Sequence, residues 1–548
     1  MAAQLLELSH ELLHCIFIEI LPSDLASLTA SCRTLHSYIN GNRLLHKDLY
    51  IRRYDPPPED TDWESALHSN VQLERLLVCS SRPTKKAHLG VVAKGVERLV
   101  ATAAKDAAQS RNISLLSEAF HDTDNIDTFL CSSSLFDRAG NDLQSPAETE
   151  ELRQASAKLH CLYGVPIDVL PSASTFTSLL LTHLNGVTGG SATITLSRME
   201  DGSSSSAGGP PSACTRAATR PLVTHTFARS KVYDLREYSE GSLWGPFHGD
   251  GSMRVDWEKV EAIMIVLGFN LRKFADRSGG RFPRVWEDAF VGATAGSYRS
   301  PGKITASEEE GDREEEELEP ELKRVRDLAL DLDSRDPYGV SGSWMRVVCF
   351  LDYNDLYTFN FTDRLPDGER REPIDTEEAI RLIRIKLQVT RIDPPGTPID
   401  DDDSEGEANY SDDEEWGDEP SPHSQQDLSG EDWSNFHGER LPIVHFRGTS
   451  RSLHASWDPN ANSRIRGTVR QTPEGEIRWT TFSIFHGEER WRSEGVQVGG
   501  VGSARGILGN WFDKDFDDHG PAGPTAFWKE SDELGEDKGR MSWLPSFG

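Results

Sequence analysis

The chain is poor in several things that mark common protein classes. Its 548 residues hold seven cysteines, at positions 15, 32, 79, 131, 161, 214 and 349, and none forms a Cys-x-x-Cys pair. A dithiol redox centre or a zinc ribbon is therefore excluded, and reduced thiols in a cytosolic or nuclear protein are expected. No run of 18 apolar residues occurs, so no membrane-spanning helix is expected. The N-terminus lacks a basic stretch followed by an uninterrupted apolar core, so no secretory signal is expected either. Without secretion, the sequons at Asn112, Asn360 and Asn409 are chance matches. There is no G-x-S-x-G nucleophile elbow and no P-loop. Gly499-Gly-Val-Gly-Ser503 has the look of a phosphate cradle, but it lies between short strands with no helix after it, and a hairpin turn is the expectation.

Basic residues are outnumbered, and the formal charge is −32. That charge is local. Residues Glu308 to Glu321 and Asp400 to Glu419 contribute −21 of it, leaving about −11 for everything else. Nothing favours a nucleic-acid partner. The two acidic runs self-repel and are poor in apolar residues, so disordered insertions are expected near 300–325 and 395–435. Ser404 and Ser411 sit in acid-rich contexts that suit an acid-directed kinase, and added phosphate there would deepen the negative charge.

Residues 5–54 carry the clearest pattern. Leu12, Leu13, Ile16, Phe17, Ile20 and Leu21 recur with helical spacing and give one broad apolar face. Pro22 is expected to stop that helix, with Ser23 or Asp24 capping a second one that carries Leu25, Leu28, Cys32 and Leu35 on one stripe. After Asn40-Gly41 a third helix carries Leu44, Leu45, Leu49 and Tyr50. So small a unit cannot bury all this surface within itself.

These residues resemble the F-box family. Its pattern is met by Leu8, Glu11, Leu12, Leu13, Ile16, Phe17, Leu21-Pro22, Asp24-Leu25, Leu28, Cys32-Arg33 and Leu35, while Ser9 replaces the usual first proline and Leu45 stands near the family's late tryptophan. The resemblance implies that Leu8, Leu12, Leu13, Ile16, Phe17, Ile20, Pro22, Leu25, Leu28, Cys32 and Leu35 form a face for a Skp-type adaptor, hanging the chain on a cullin–RING ubiquitin ligase. Such a protein is not an enzyme; it speeds ubiquitin transfer by proximity. A competing motif lies in the same stretch. His10-Glu-Leu-Leu-His14 is a literal H-E-x-x-H, the zinc-hydrolase helix signature, but only nine residues precede it and no third ligand is evident. No metal or cofactor is expected, and His10 and His14 are expected on the solvated side of the helix.

Beyond Asp55-Pro-Pro-Pro58, residues 55–170 read as a helical linker, with apolar spacing through Trp63 to Leu77, Leu89 to Val100 and Ile113 to Phe120, and a last helix ending near Cys161-Leu-Tyr-Gly. Residues 171–222, rich in Ser, Thr and Gly, read as a flexible loop. From Arg229 the pattern reads as β. Ala262 to Phe269 and Trp344 to Leu351 are near-continuous apolar runs, as strands covered on both faces would be, and Ile383, Ile385, Leu387 and Val389 alternate with polar residues. Arg464 to Gln471 and Glu476 to Phe485 flank Thr472-Pro-Glu-Gly475, a hairpin, and short strands follow at 490–498, 505–511 and 525–529. The expected fold is α+β: N-terminal helices, then a mostly antiparallel β-barrel or sandwich over 223–530, then a tail at 531–548.

This half resembles the lipocalin-like barrel that follows the F-box in some F-box-only proteins, and fungal F-box proteins more closely. The residues behind the likeness are Val232-Tyr-Asp-Leu-Arg236, Leu243-Trp-Gly-Pro-Phe247 with Val255-Asp-Trp-Glu258, Gly448-Thr-Ser450, Arg466-Gly-Thr-Val-Arg470, Arg490-Trp-Arg-Ser-Glu-Gly495 and Gly509-Asn-Trp-Phe512. No substrate contact transfers with it position by position. From the residues themselves, Arg451, Arg470, Arg478, Trp479, Trp491 and Arg492 alternate guanidinium forks with aromatic walls and are the candidate grip for an acidic or phosphorylated segment of a protein substrate. Their bland reading is the wet faces of strands. The functional expectation is a substrate receptor of an SCF-type ligase, against a small-ligand or glycan-binding barrel that uses the F-box only as an anchor.

Overall fold

The structure is a computed structural model. It describes residues 5, 8–57, 61–138, 145–164, 224–277, 286, 288–298, 329–397 (apart from 363, 364 and 367), 440–453, 462–517 and 519–534. The loop at 171–222, nearly all of both acidic insertions with Ser404 and Ser411, and most of the C-terminal tail lie outside the described residues.

The first 54 residues form four short helices, one more than the spacing suggests: α1 (His10–Phe17), α2 (Pro22–Ser31), α3 (Arg33–Ile39) and α4 (Arg43–Arg53). Two details correct the expectation. Pro22 does not stop α1 but opens α2, where its missing N–H costs nothing, and Leu21, which caps α2, gives no side-chain cap. The stripe Leu25, Leu28, Cys32, Leu35 is broken at Cys32, whose backbone is extended at φ −157° and ψ 161° and whose sulfur accepts from the Leu35 N–H.

Helices α5 (Trp63–Leu77), α6 (Arg82–Ala87), α7 (Leu89–Ala101) and α8 (Arg111–Ala119) follow as the apolar spacing predicts, then the short turns α9 (Thr123–Asn125) and α10 (Ser134–Arg138). Helix α11 (Glu150–Tyr163) is capped by Thr149 and closed by Gly164 at φ 91°, a left-handed position that favours glycine. This region is no mere spacer. Its apolar residues join one continuous core with Met345, Val347, Cys349, Leu508, Ala526 and Trp528 from the outer face of the β domain.

The largest departure is in the run from Thr224 to Arg277. The expected strand at Ala262–Phe269 is the middle of a 21-residue helix, α13 (Trp257–Arg277), preceded by α12 (Thr224–Val232). A segment buried on every side shows no alternation, so an apolar run alone does not separate helix from strand. Val260 and Ala262 to Leu267 are buried because α13 lies between α11, α12 and strands β7 and β8. Glu378, just before β2, ties this layer down. Its carboxylate accepts from Arg229 Nε at 2.7 Å, Tyr233 Oη at 2.6 Å and Asn270 Nδ2 at 2.7 Å.

Eight antiparallel strands close into a barrel in simple chain order: β1 (Gly342–Phe350), β2 (Ala379–Asp393), β3 (Ile443–Ser452), β4 (Asn462–Gln471), β5 (Ile477–Phe485), β6 (Glu488–Gln497), β7 (Ile507–Asp513) and β8 (Ala522–Ser531). Closure leaves no edge strand to attract another chain. The expected hairpin turn at Thr472–Gly475 joins β4 to β5, and the Gly499–Ser503 run is the β6–β7 connection, with glycines 499, 500 and 502 at positive φ. The lumen is filled at one end by Trp344, Leu387, Val389, Phe446, Val469, Ile477, Trp479, Ile507 and Phe527, with Tyr338 and Val340 packed onto them. No helix among the described residues is long and apolar enough to cross a membrane.

Candidate functional site

Two surfaces and one interior belt carry the chemistry. The first surface is the face of the N-terminal helices. The residues expected to dock an adaptor divide into two sets. Leu13, Phe17, Leu25 and Leu35 turn inward and are buried, while Leu8, Ile20, Pro22, Leu28 and Cys32 are half-buried. Leu12 and Ile16 point out, 52% and 40% exposed, as do Leu21 at 56% and Leu44 at 60%. One amphipathic helix, α1, thus presents apolar side chains on two sides, one for its own core and one uncovered. Beside it lies an open cleft of about 440 Å³ lined by Leu8, His10, Leu13, Arg33, Leu35 and Tyr38.

The H-E-x-x-H residues do not assemble a centre. His10 is exposed and stacks edge-on against Tyr38, with ring centroids 5.2 Å apart. His14 departs from the expectation of a solvated side chain. It is half-buried, with Nε2 at 2.8 Å from Asp48 Oδ2. Neither belongs to a cluster of metal-ligating groups among the described residues.

The second surface is the outer face of β2 to β4. Register places Arg384 opposite Arg451, Lys386 opposite Thr449, Thr449 opposite Arg464, and Arg447 opposite Arg466. Six basic side chains therefore share one face in a chain whose net charge is −32. Arg466 pairs with Glu489, Arg384 lies 3.7 Å from Glu530, and Lys386, Arg451 and Arg464 have partners as well. Arg451, from the expected grip, is exposed on this face, and Arg470 is half-buried at its margin, opposite Arg478.

The other members of that grip do not form an open surface. Arg478 and Arg492 are buried on the outer side of the barrel and converge on one fully buried carboxylate, Glu494. Arg478 donates through Nε and Nη2 at 2.8 and 2.9 Å, Arg492 through Nε and Nη2 at 2.9 and 2.7 Å, and the Thr480 hydroxyl adds two more contacts. Buried and paired in this way, the two guanidinium groups are not open to a substrate. The segment around Gly245 and Phe247 roofs it: a Cβ added at Gly245 would stand 2.7 Å from Glu494 Cβ, and the Arg478 guanidinium lies 5.7 Å from the Phe247 ring. Trp479 faces the opposite way, into the sealed apolar end of the lumen, where its Nε1 donates to Gln497 at 3.2 Å.

The interior belt was not foreseen. In the half of the lumen away from the apolar plug, several inward positions are small and polar: Ser450, Ser463, Thr481, Ser483, Ser493 and Thr525, beside the apolar Val348 and Ile383, with Trp491 and Trp511 packed edge-on at 5.3 Å. Arg346 of β1 points into this belt. Its Nε donates to Thr525 Oγ1 at 3.0 Å and its Nη2 to Ser493 Oγ. It is 4% exposed and meets no carboxylate among the described residues, and burial pulls its guanidinium pKa down to about 10. The Thr481 hydroxyl, also buried in the belt, has no hydrogen-bond partner. Arg505 is a useful contrast. It too is buried without an ion pair, but its Nη2 donates to the carbonyls of Tyr163 and Asp288 at 2.9 and 2.8 Å, tying down the end of α11. Among the described residues Arg346 has hydroxyl groups alone.

Compared with protein-family models, with curated proteins and with solved structures, the chain matches none.

Proposed function

We propose that this chain is a non-catalytic substrate receptor of an SCF-type ubiquitin ligase, working in the cytosol or nucleus. The N-terminal helices dock a Skp-type adaptor, and the barrel captures a protein substrate. The observation that carries this reading is the uncovered apolar side of α1 and its neighbours, Leu12, Ile16, Leu21 and Leu44, beside an open cleft. Exposed apolar side chains on the N-terminal helices mark a partner surface, and an adaptor groove that takes helices would cover them. On the substrate side, the basic outer face of β2 to β4 suits an acidic or phosphorylated segment, since guanidinium forks match carboxylate and phosphate geometry. It replaces the grip expected around Arg478 and Trp479. The six free cysteines among the described residues agree with a reducing compartment.

The double variant Leu12→Glu/Ile16→Glu tests the docking face. Both side chains are exposed, so the fold should survive with a melting temperature within about 2 °C of the parent. Adaptor capture by the purified chain should weaken at least about 100-fold, because two charges would be buried against an apolar groove. Undiminished capture would sink the docking face.

A second reading is favoured by Arg346. A desolvated guanidinium facing a belt of hydroxyl groups and two tryptophans is the chemistry of a lumen that holds a small ligand bearing a carboxylate or another anion. On that reading the barrel is the ligand-binding module and the helices only anchor it.

A further inference from the structure

Helices α4 and α5 meet at a joint where the N-terminal helices turn into the body of the protein. His46 of α4 is 1% exposed, and its Nδ1 lies 3.0 Å from the Asn42 carbonyl oxygen. An imidazole that donates from Nδ1 keeps its lone pair on Nε2. That Nε2 is buried and has no partner. An orphaned polar atom of this kind destabilises the fold unless something binds it. Facing His46 are Glu64 and His68, four residues apart on one side of α5, and the ligating atoms of all three lie within 4.8 Å of one another. The His46 and His68 rings meet edge-on at 6.0 Å. Glu64 is itself held, its Oε2 accepting from the Gly41 N–H at 3.1 Å.

We infer that His46, Glu64 and His68 form a site for a divalent transition metal of the zinc class. Two imidazoles and a carboxylate are a zinc donor set, and a fourth position would be left to water. The Asn42 carbonyl behind His46 and the Gly41 amide behind Glu64 are the outer partners that ligands of such a site use to hold their orientation. Bound metal would pin α4 to α5 and so fix the angle between the docking helices and the rest of the chain. The site is distinct from the H-E-x-x-H residues His10 and His14, which lie on α1.

The test uses the untagged full chain, stripped of metal and titrated with Zn²⁺, with Co²⁺ as a spectroscopic stand-in. The expected result is saturable binding of one Zn²⁺ per chain at micromolar or lower concentration, a rise in melting temperature with added metal, and visible Co²⁺ bands of a low-coordinate site. His68 is exposed, so His68→Ala should leave the fold intact while weakening binding at least about 10-fold; Glu64→Gln should also weaken it. His10→Ala/His14→Ala should bind as the parent does. Absence of one-to-one binding, or affinity unchanged in His68→Ala, would overturn the assignment.

Discussion

Replacing Glu494 by alanine should cost the protein about 3–5 kcal/mol of stability, read as a lowered urea midpoint with little change in the slope of the transition. The size follows from what remains. Glu494 is fully buried and accepts from Arg478, Arg492 and Thr480, so its removal leaves two buried guanidinium groups without the carboxylate they share. Each would have to open the roof at Gly245 and Phe247 to reach solvent. Replacing the three charged groups together, as Glu494→Leu with Arg478→Met and Arg492→Met, should recover most of the loss, because a well-packed apolar cluster is about as stable as a satisfied buried ionic one. If Glu494→Ala were neutral, the two arginines would be reaching solvent, and the expected grip at Arg478 and Arg492 would be restored.

The second large effect has the opposite sign. Arg346→Met should raise the stability of the ligand-free chain by about 1–3 kcal/mol, measured by chemical denaturation at neutral pH. Burial holds the Arg346 guanidinium near pKa 10, below its value in the unfolded chain. The folded state therefore penalises the charged form. That penalty is present throughout the neutral range and would be relieved only as pH rises through about 10. Two hydroxyl contacts offset part of it, which is why the expected gain stays well short of a full desolvation cost. A charge kept at the expense of stability is a mark of function, since such residues trade folding energy for a task. A destabilised Arg346→Met would instead make the residue a structural strut, and the ligand-lumen reading would lose its support.

Much of the β domain was legible in the sequence for a simple reason: its strands alternate. Ile383, Ile385, Leu387 and Val389 announce β2, and Thr472-Pro-Glu-Gly475 announces the turn between β4 and β5. Helix α13 was illegible for the converse reason. Buried on all sides against α11, α12, β7 and β8, it has no polar face to set a period, and its run Ala262 to Phe269 reads equally well as a covered strand. The helices at the N-terminus were legible in number to within one, because the Cys32 break needs only a local extended residue and leaves the apolar spacing undisturbed.

The candidate sites were harder, because pairing across strands cannot be read along one. Arg478 and Trp479 are neighbours in sequence, yet one meets Glu494 outside the barrel and the other fills the lumen. A partial signal existed: Arg492 and Glu494 share a face of β6, so a carboxylate had to lie beside at least one expected grip residue. Arg346 gave no such signal, since a lone arginine in an apolar run reads as an edge or an error until the barrel closes around it. His46 and the Glu64–His68 pair lie on different helices, and only the four-residue spacing on α5 was visible beforehand.

The measurement that bears most directly on the whole account is hydrogen–deuterium exchange of the full chain with and without a purified Skp-type adaptor. The account predicts that the adaptor slows exchange across α1 and α2, with Leu12 and Ile16 at the centre, and leaves the amides of β1 to β8 unchanged. Protection confined to the barrel, or a chain whose exchange the adaptor does not alter at saturating concentration, would contradict it.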